Sequence, residues 1–520
     1  MRKPSLLNIV FVFEVLLFVL IILGIVPRSF ALYLLVILAV YTITAPIEDG
    51  IVLFIRSIPL FIALPLTETF DSLNTWRIIS AILFIKWGLI RVNPFEWIKT
   101  RIKNLTRFHS DNILLALVLL LLLALVSVLV AIDAMAAIKR VIYFVNLSLI
   151  GIVIYDLIGK IPDLKERLIK NIAIPVVIVT LAGLLQLLST YLVDIYGFVD
   201  IWGWGIQCRQ FGQQWCTIAV ETGNTWFAYY GPQLSLRVFS LFPDTHSFPI
   251  FLLLGLPALF AIALKNIDFT NFKTAIRTRA KMHILWIPLI MFIMILTGTR
   301  GIWAAVIGTV LVLGIFMAFF RQRLIQDKKN IIKYISVFFV IFMLLFVITQ
   351  PIFTSDQFQL SKDDDALLRN RLRSVFNWAE MSNAARIKIW KTTIKSIADK
   401  PLRGVGIANF PVVLNQDIAL SKAGSSAHNL YLHIAAEMGI TALLVSLWFI
   451  WILLRREYSQ FINSKNRIIQ IYSGAGLIFI VWVLGYSMTD FALFDERAFL
   501  LFVITVALIT SYRVSTDRNN

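Results

Sequence analysis

The chain consists of apolar blocks of about 20 residues that alternate with short polar segments. The clearest block, 112–132, is a run of mainly Leu, Val and Ala without a charged residue. A helix of roughly 20 residues crosses the ~30 Å hydrocarbon layer of a bilayer, and a backbone in lipid must satisfy its own hydrogen bonds, as a helix does. The pattern therefore predicts an all-α polytopic membrane protein with about 12–14 transmembrane helices.

The predicted spans cover the whole chain, without an internal repeat or a linker to a second folded domain, so 1–520 is treated as one membrane-embedded domain. They are 5–24, 30–45, 50–65, 75–92, 112–132, 137–156, 171–195, 237–264, 283–298, 301–320, 331–350, 428–454, 470–489 and 497–512. The spans 30–45 and 50–65 are short, and either is alternatively a re-entrant segment.

The distribution of Lys and Arg predicts the orientation, because basic loops stay in the cytoplasm. With the N-terminus inside, five successive inner loops are basic, whereas the short outer loops are nearly bare of Lys and Arg. The basic loops are 91–107, 160–170, 265–281, 321–329 and 455–467. Both termini are predicted to be cytoplasmic.

Two predicted outer segments are too long to be simple connections. The first, 196–236, is rich in Trp, Tyr and Gly, and is either an aromatic cap at the lipid headgroups or a substrate-binding element. It contains Cys208 and Cys216, which we predict to be bridged because disulfides persist on the outer side.

The second outer segment, 351–427, contains an amphipathic pattern at 380–399, which Pro401 ends. The predicted apolar face is Met381, Ala384, Ile387, Trp390, Ile394 and Ile397, with basic residues interleaved. Such a helix lies on anionic headgroups or packs on the bundle as a lid, and the two interpretations are compatible.

Composition agrees with a membrane protein: of 520 residues, 59% are hydrophobic and 15% charged, against roughly 25% charged in soluble proteins. The formal net charge of +18 is largely explained by the basic inner loops, so no nucleic-acid partner is predicted. Two cysteines exclude a disulfide framework, and no Cys/His spacing fits zinc. No metal or other cofactor is predicted.

Candidate chemistry lies near the outer ends of the spans. His428 follows a flexible Gly424–Ala427 approach at the mouth of the bundle, where a histidine can act as a general base or be an ordinary headgroup-level residue. Arg237 and Arg300 also lie at outer span ends, and Arg403 follows the amphipathic helix. Arginine forks bind phosphate oxygens bidentately, so the arginines suggest a lipid-linked phosphate, with ordinary headgroup contact as the alternative for each.

A run of three aspartates, Asp363–Asp365, is alternatively a metal site or a solvated acidic stretch, and we favour the latter.

Three motifs resemble the O-antigen ligase/polymerase superfamily, which includes O-antigen ligases, Wzy-type polymerases and related O-oligosaccharyltransferases. They are Arg386–Trp390, Asp399–Phe410 and the most specific, Ala427–Ile440, with its His-Asn-x-Tyr-Leu…Glu-x-Gly-Ile order. Arg237–His246 and Thr299–Gly301 also look like family motifs. Ser240 departs from the family pattern where Gly is common, and the Asp244–His246 element replaces a more usual Pro-Asn.

The resemblance implies a metal-independent, inverting glycosyltransferase of the bacterial cytoplasmic (inner) membrane with an extracytoplasmic active site. Its donor would be an undecaprenyl-pyrophosphate-linked glycan, and its acceptor a lipid, glycan or protein hydroxyl, with membrane lipids around it. Arg237 and Arg300 would hold the pyrophosphate, and His428 would deprotonate the acceptor. The further substrate-binding candidates are Arg403, His246, Asn429 and Tyr431.

Three other functions are alternatives to a ligase. A Wzy-type polymerase differs from a ligase only in using a second lipid-linked repeat as acceptor. A flippase for the same lipid would suit fourteen spans, but transporters usually have pseudo-symmetric halves and charged or broken helices near mid-membrane. Here the charge constellation lies at the outer face, and the long outer loops lack counterparts in the first half. A membrane scaffold would not need the clustered Arg and His motifs.

Overall fold

The computed structural model describes residues 5–66, 73–91, 112–212, 215–216, 226–230, 233–266, 281–319, 328–353, 355, 381–416 and 426–511. The first half consists of α1 (Leu6–Ile22), α2 (Phe30–Thr44), α3 (Ile47–Ser57), α4 (Thr75–Arg91), α5 (Ile113–Val128), α6 (Ala134–Ile158) and α7 (Leu164–Ser189). A 3₁₀ turn, Ile58–Leu60, extends α3.

The middle of the chain begins with α8 (Ile195–Phe198), a π-helical stretch Val199–Gln207 and α9 (Cys208–Phe211). Two short antiparallel strands follow, β1 (Phe227–Tyr230) and β2 (Gln233–Leu236), with Phe227 opposite Leu236. The second half contains α10 (Ser247–Leu264), α11 (Lys281–Leu296), α12 (Arg300–Phe319), α13 (Lys328–Phe353), α14 (Met381–Asp399), α15 (Leu430–Asn463), α16 (Arg467–Tyr486) and α17 (Glu496–Thr510).

The helical architecture confirms the prediction of an all-α polytopic membrane protein. Within the described ranges, six helices are long and apolar enough to cross a membrane, and five shorter apolar helices accompany them. Each predicted span overlaps a helix of the structure. One boundary is wrong: the predicted span 237–264 becomes helical only at Ser247, so 237–246 is a non-helical segment.

Helix α10 is the centre of the bundle, since every residue from Ser247 to Leu259 is buried. It packs against α7, α11, α16 and α17. Gly255 permits the closest of these approaches, because a Cβ there would lie 2.1 Å from the side chain of Val176 in α7.

We call the end at which α10, α12, α15 and α17 begin the site end. Buried polar side chains tie its loops together. Gln210 donates to the carbonyl oxygen of Pro59 at 2.9 Å, and Gln207 donates to that of Phe242 at 2.6 Å. Several residues of the predicted basic loops lie at the opposite end, where Lys165 donates to Gln460 at 3.0 Å.

Candidate functional site

Arg237 is bound to the turn that precedes α12. Its Nε donates to the carbonyl oxygen of Thr297, and its Nη2 donates to Oγ1 of Thr299, both at 2.8 Å. The Thr299 hydroxyl in turn donates to the carbonyl oxygen of Thr245 at 2.8 Å. Only 6% of Arg237 is exposed, so its guanidinium is built into this turn, which we call the arginine turn (297–300).

Arg300 is the first residue of α12 and is partly exposed. The helix N-terminus adds partial positive charge at the same place, because its first N–H groups lack intrahelical partners. Gly301 lets this N-terminus pack closely, since a Cβ there would lie 2.3 Å from Oγ1 of Thr489 and 2.8 Å from the ring of Tyr486. The arginine turn is therefore fixed against the end of α16.

His246, at the N-terminus of α10, is joined to the turn after α16. Its Nδ1 lies 2.9 Å from Oδ2 of Asp490 and 3.0 Å from Oη of Tyr486. Burial alone would raise the pKa of Asp490, but the contact with His246 and the electrostatic effects of His428 and Arg386 hold that pKa below its ordinary value. Asp490 is therefore ionised in the site.

His428 lies directly before α15 in the left-handed backbone conformation, with φ +44°. A non-glycine residue in this conformation is strained, and such strain is concentrated at functional sites. Burial lowers the pKa of His428, and the charges of Arg386, His246 and His433 lower it further, against the opposing effect of Asp490. The imidazole is consequently neutral at neutral pH.

Helix α14 covers this region and coincides with the predicted amphipathic helix. The Nε1 of Trp390 donates to the carbonyl oxygen of Ala427, next to His428, at 2.9 Å. The predicted apolar face is partly wrong. Ile394 is 55% exposed, whereas Thr393 is buried and Ile389 packs on the bundle side. The face of α14 that packs on the bundle is therefore rotated relative to the predicted apolar face.

The segment after α14 docks on a break in α15. Gly439 has φ +88° and interrupts the helix. The carbonyl oxygens of Ala436 and Glu437 accept hydrogen bonds from Val405 and Gly406 at 2.9 Å, and Pro401 accepts one from Ile440 at 2.7 Å. We call this arrangement the glycine clip (401–406 with 436–440).

The clip continues onto the first half of the bundle. Asn409 is fully buried, and its side chain pairs with the backbone of Asp133, accepting at 2.8 Å and donating at 3.2 Å. The Asp399–Phe410 motif therefore serves to dock this segment on the backbone of neighbouring parts of the bundle.

Two predicted substrate-binding residues have structural partners. Asn429 caps α15, since its side chain accepts a hydrogen bond from the Leu432 N–H at 3.0 Å. The Tyr431 hydroxyl donates to the carbonyl oxygen of Leu484 in α16 at 2.9 Å. Arg403 belongs to the glycine clip and is exposed, and no hydrogen bond or ion pair of the described residues joins it to the arginine turn or His428.

The aromatic cap packs around a buried arginine that the sequence analysis did not single out. Arg497 donates to the carbonyl oxygens of Leu241 and Phe61 and lies 4.6 Å from the ring centre of Phe211. A disulfide joins Cys208 and Cys216, whose Cα atoms are 4.9 Å apart. The cap is thereby attached to the segment that carries Arg237 and His246.

Ser240 has φ +56°, which explains why a glycine would suit this position. Its hydroxyl donates to the carbonyl oxygen of Val179 at 2.6 Å and partly offsets the strain.

The structure thus brings together Arg237, Arg300, His246 and His428, and adds Asp490, Tyr486 and Arg386. The sequence analysis missed Asp490 and Tyr486 because both lie at a span end that carries no recognised motif. One signal was available: the short predicted outer loop 490–496 contains three acidic residues, Asp490, Asp495 and Glu496. Asp363–Asp365 lie outside the described residues. Among the described residues, no group of three or more His, Cys, Asp or Glu is arranged to hold a metal ion.

Comparison with known proteins gives one family match. Residues 284–447 match the family model described as O-antigen ligase. The match spans the arginine turn, α14, the glycine clip and His428, and it confirms the resemblance to the O-antigen ligase/polymerase superfamily. No curated protein matches the chain.

Proposed function

We propose that this chain, a multi-pass membrane protein with an O-antigen ligase region at 284–447, transfers a glycan from an undecaprenyl-pyrophosphate-linked donor to an acceptor hydroxyl. We place the reaction at the outer face of the bacterial cytoplasmic membrane, with inversion and without a metal ion. The observation that carries the proposal is the convergence of the arginine turn with His428. Hydrogen bonds run from Arg237 through Thr299 to Thr245, and the adjacent His246 contacts Asp490, whose charge acts on His428.

The donor pyrophosphate is assigned to Arg300 and the N-terminus of α12. Negative charge builds on the pyrophosphate as it leaves, and fixed cations and helix N-termini stabilise such charge where it develops. Arg237 uses Nε and Nη2 to hold the arginine turn. We therefore assign it first to positioning Arg300, which refines the expectation that both arginines hold the pyrophosphate.

His428 is assigned as the general base. A base must be neutral before it accepts a proton, and its lowered pKa provides that state. In the proposed step, His428 takes the acceptor O–H proton and the acceptor oxygen bonds to the anomeric carbon from the face opposite the pyrophosphate. The bond between that carbon and the phosphate oxygen breaks, and its electron pair stays on the pyrophosphate.

The test uses purified protein in lipid with a labelled lipid-linked oligosaccharide and no added metal. We expect His428→Ala to abolish transfer, Arg300→Ala to reduce it about 100-fold or more, and Arg300→Lys to recover only part of it, because Lys lacks the bidentate fork. Gly308→Ala is the control, since a Cβ there meets nothing within 4 Å. Full activity of Arg300→Ala would refute the phosphate assignment.

The same assay separates the two acceptor classes. A ladder of longer products, made without added acceptor, would indicate a polymerase that uses a second lipid-linked repeat. Turnover only after addition of a lipid or protein acceptor would indicate a ligase. Absence of His428-dependent transfer under all these conditions would contradict the glycosyltransferase proposal and favour a transporter.

A further inference from the structure

His246 occupies a connecting position between the two halves of the proposed site. On one side, the neighbouring Thr245 carbonyl accepts a hydrogen bond from Thr299, the residue before Arg300. On the other side, its ring contacts Asp490 and Tyr486. The side chain is 29% exposed, so it is accessible to a ligand. His246 is also part of the element in which this chain departs from the usual family pattern.

Asp490 fixes which ring nitrogen remains for a ligand. The carboxylate is held in place by the backbone N–H groups of Phe491 and Ala492, at 2.7 and 3.0 Å. An ionised carboxylate has no hydrogen to donate, so Nδ1 of His246 must carry the proton in the 2.9 Å contact. Nε2 is then the ring nitrogen left to bind substrate, and it becomes a donor when the ring is protonated.

Charged and polar groups surround His246. Asp490 and Tyr486 are in direct contact with its ring, and the carboxylate of Asp244 accepts the backbone N–H of His246 at 2.7 Å. His428 and Arg386 are close enough to Asp490 to act on it electrostatically, and Arg237 acts on Tyr486 in the same way. The carboxylate of Asp490 would repel a pyrophosphate in the arginine turn, and the ring of His246 is the group in contact with that carboxylate.

From this arrangement we propose that His246, held by Asp490 and Tyr486, is a third cationic ligand of the donor pyrophosphate and donates from Nε2 to a phosphate oxygen. The inference rests on the proposed function for the identity of the ligand. It adds a binding role for His246 that is distinct from the base role of His428.

The test is equilibrium binding of undecaprenyl pyrophosphate to the protein in nanodiscs at pH 6, with undecaprenol as the ligand that lacks phosphate. It is performed in the His428→Ala background, so that it does not depend on turnover. We expect His246→Gln to raise the Kd for undecaprenyl pyrophosphate by about 10- to 100-fold at pH 6, the range for a lost charge-assisted hydrogen bond. Binding of undecaprenol should not change.

The comparison of the two ligands provides the readout that a merely structural role would not move. A change in packing alters the binding of both ligands, whereas loss of a phosphate contact alters only the binding of undecaprenyl pyrophosphate. Asp490→Asn removes the carboxylate that fixes Nδ1 of His246 as the donor, so it should also weaken the binding of undecaprenyl pyrophosphate and leave that of undecaprenol unchanged. It is the second variant if His246→Gln does not fold.

An equal Kd for undecaprenyl pyrophosphate with and without His246 would overturn the proposal. In a His428-competent protein, a fall in kcat without a change in the donor KM would also overturn it, because His246 would then act in proton transfer. Failure of the proposed function is distinguishable, because it appears as absence of His428-dependent transfer in the transfer assay and not as a change in the Kd of the His246 variant.

Discussion

The glycine clip gives a prediction whose magnitude follows from the structure. In Gly439→Ala, the backbone must keep φ +88° and ψ 167°, a region that is almost restricted to glycine and costs other residues about 1–3 kcal/mol. The new Cβ would also lie 2.2 Å from the carbonyl oxygen of Leu402 and 3.0 Å from the backbone nitrogen of Arg403. These are backbone atoms, so the contact cannot be relieved by a rotamer change.

Separation of the two segments would break the three backbone hydrogen bonds of the clip. Each contributes a net of about 0.5–1.5 kcal/mol, so separation costs on the order of 1.5–4.5 kcal/mol, and the variant takes the less costly of strain and separation. For a cooperative unit of the whole chain this corresponds to a Tm lowered by about 1–4 °C, using an unfolding entropy of roughly 2 cal/mol/K per residue. Transfer should fall as well, because the clip joins the lid segment to the half of α15 that follows His428.

The assay is thermal unfolding in detergent or nanodiscs, combined with the transfer assay. Gly308→Ala is the matched control in the same family region. Its Cβ meets nothing within 4 Å and it lies inside α12, so alanine should stabilise the helix by roughly 0.5–1 kcal/mol. If Gly439→Ala unfolds at the same temperature as the control and retains full transfer, the clip does not hold the two segments together.

Other predictions test single contacts. Trp390→Phe should keep the lid folded but reduce kcat several-fold, because it loses the hydrogen bond to the carbonyl oxygen of Ala427; near-UV circular dichroism and transfer kinetics measure both. Asn429→Ala should lose about 1 kcal/mol of stability, whereas Asn429→Asp should retain both the cap and activity, and loss of activity in the aspartate variant would instead indicate substrate contact. Ser240→Gly should unfold at a higher temperature than Ser240→Ala, because both lose one hydrogen bond but only glycine relieves the strain of φ +56°. In the wild type, the acid-side fall in kcat should have its midpoint below 6.5, the ordinary histidine value, because the pKa of His428 is lowered and the base is lost only as pH falls through it.

The membrane spans were predictable because hydrophobic length is a local property of the sequence. The error at 237–246 has a tertiary cause. Phe239 and Ser240 donate their backbone N–H groups to Gln186, at 2.8 and 2.9 Å, instead of forming a helical turn. A buried glutamine of α7 thus satisfies backbone that the apolar pattern assigned to a helix, and no local signal in 237–246 predicts that partner.

The candidate site was predictable only where a motif marked it. His428, Arg300 and Arg237 were selected from the resemblance and from their positions at span ends, and the structure places them at one end of the bundle. Asp490 was missed because its partner, His246, is 244 positions away in the sequence, and nothing in either segment alone indicates the pairing. Burial of a carboxylate beside a histidine is a property of the packed bundle.

The family motifs in this chain divide into two physical roles. Asn429, Asn409 and Gly439 serve the backbone, as a cap, a loop partner and a helix break, so their presence indicates a shared lid geometry. These positions are not expected to distinguish one acceptor from another, because each is already used in contacts within the protein. Specificity is therefore expected from partly exposed side chains within the site. His246 is the strongest case, since it departs from the family pattern and has a ring nitrogen available beside the arginine turn.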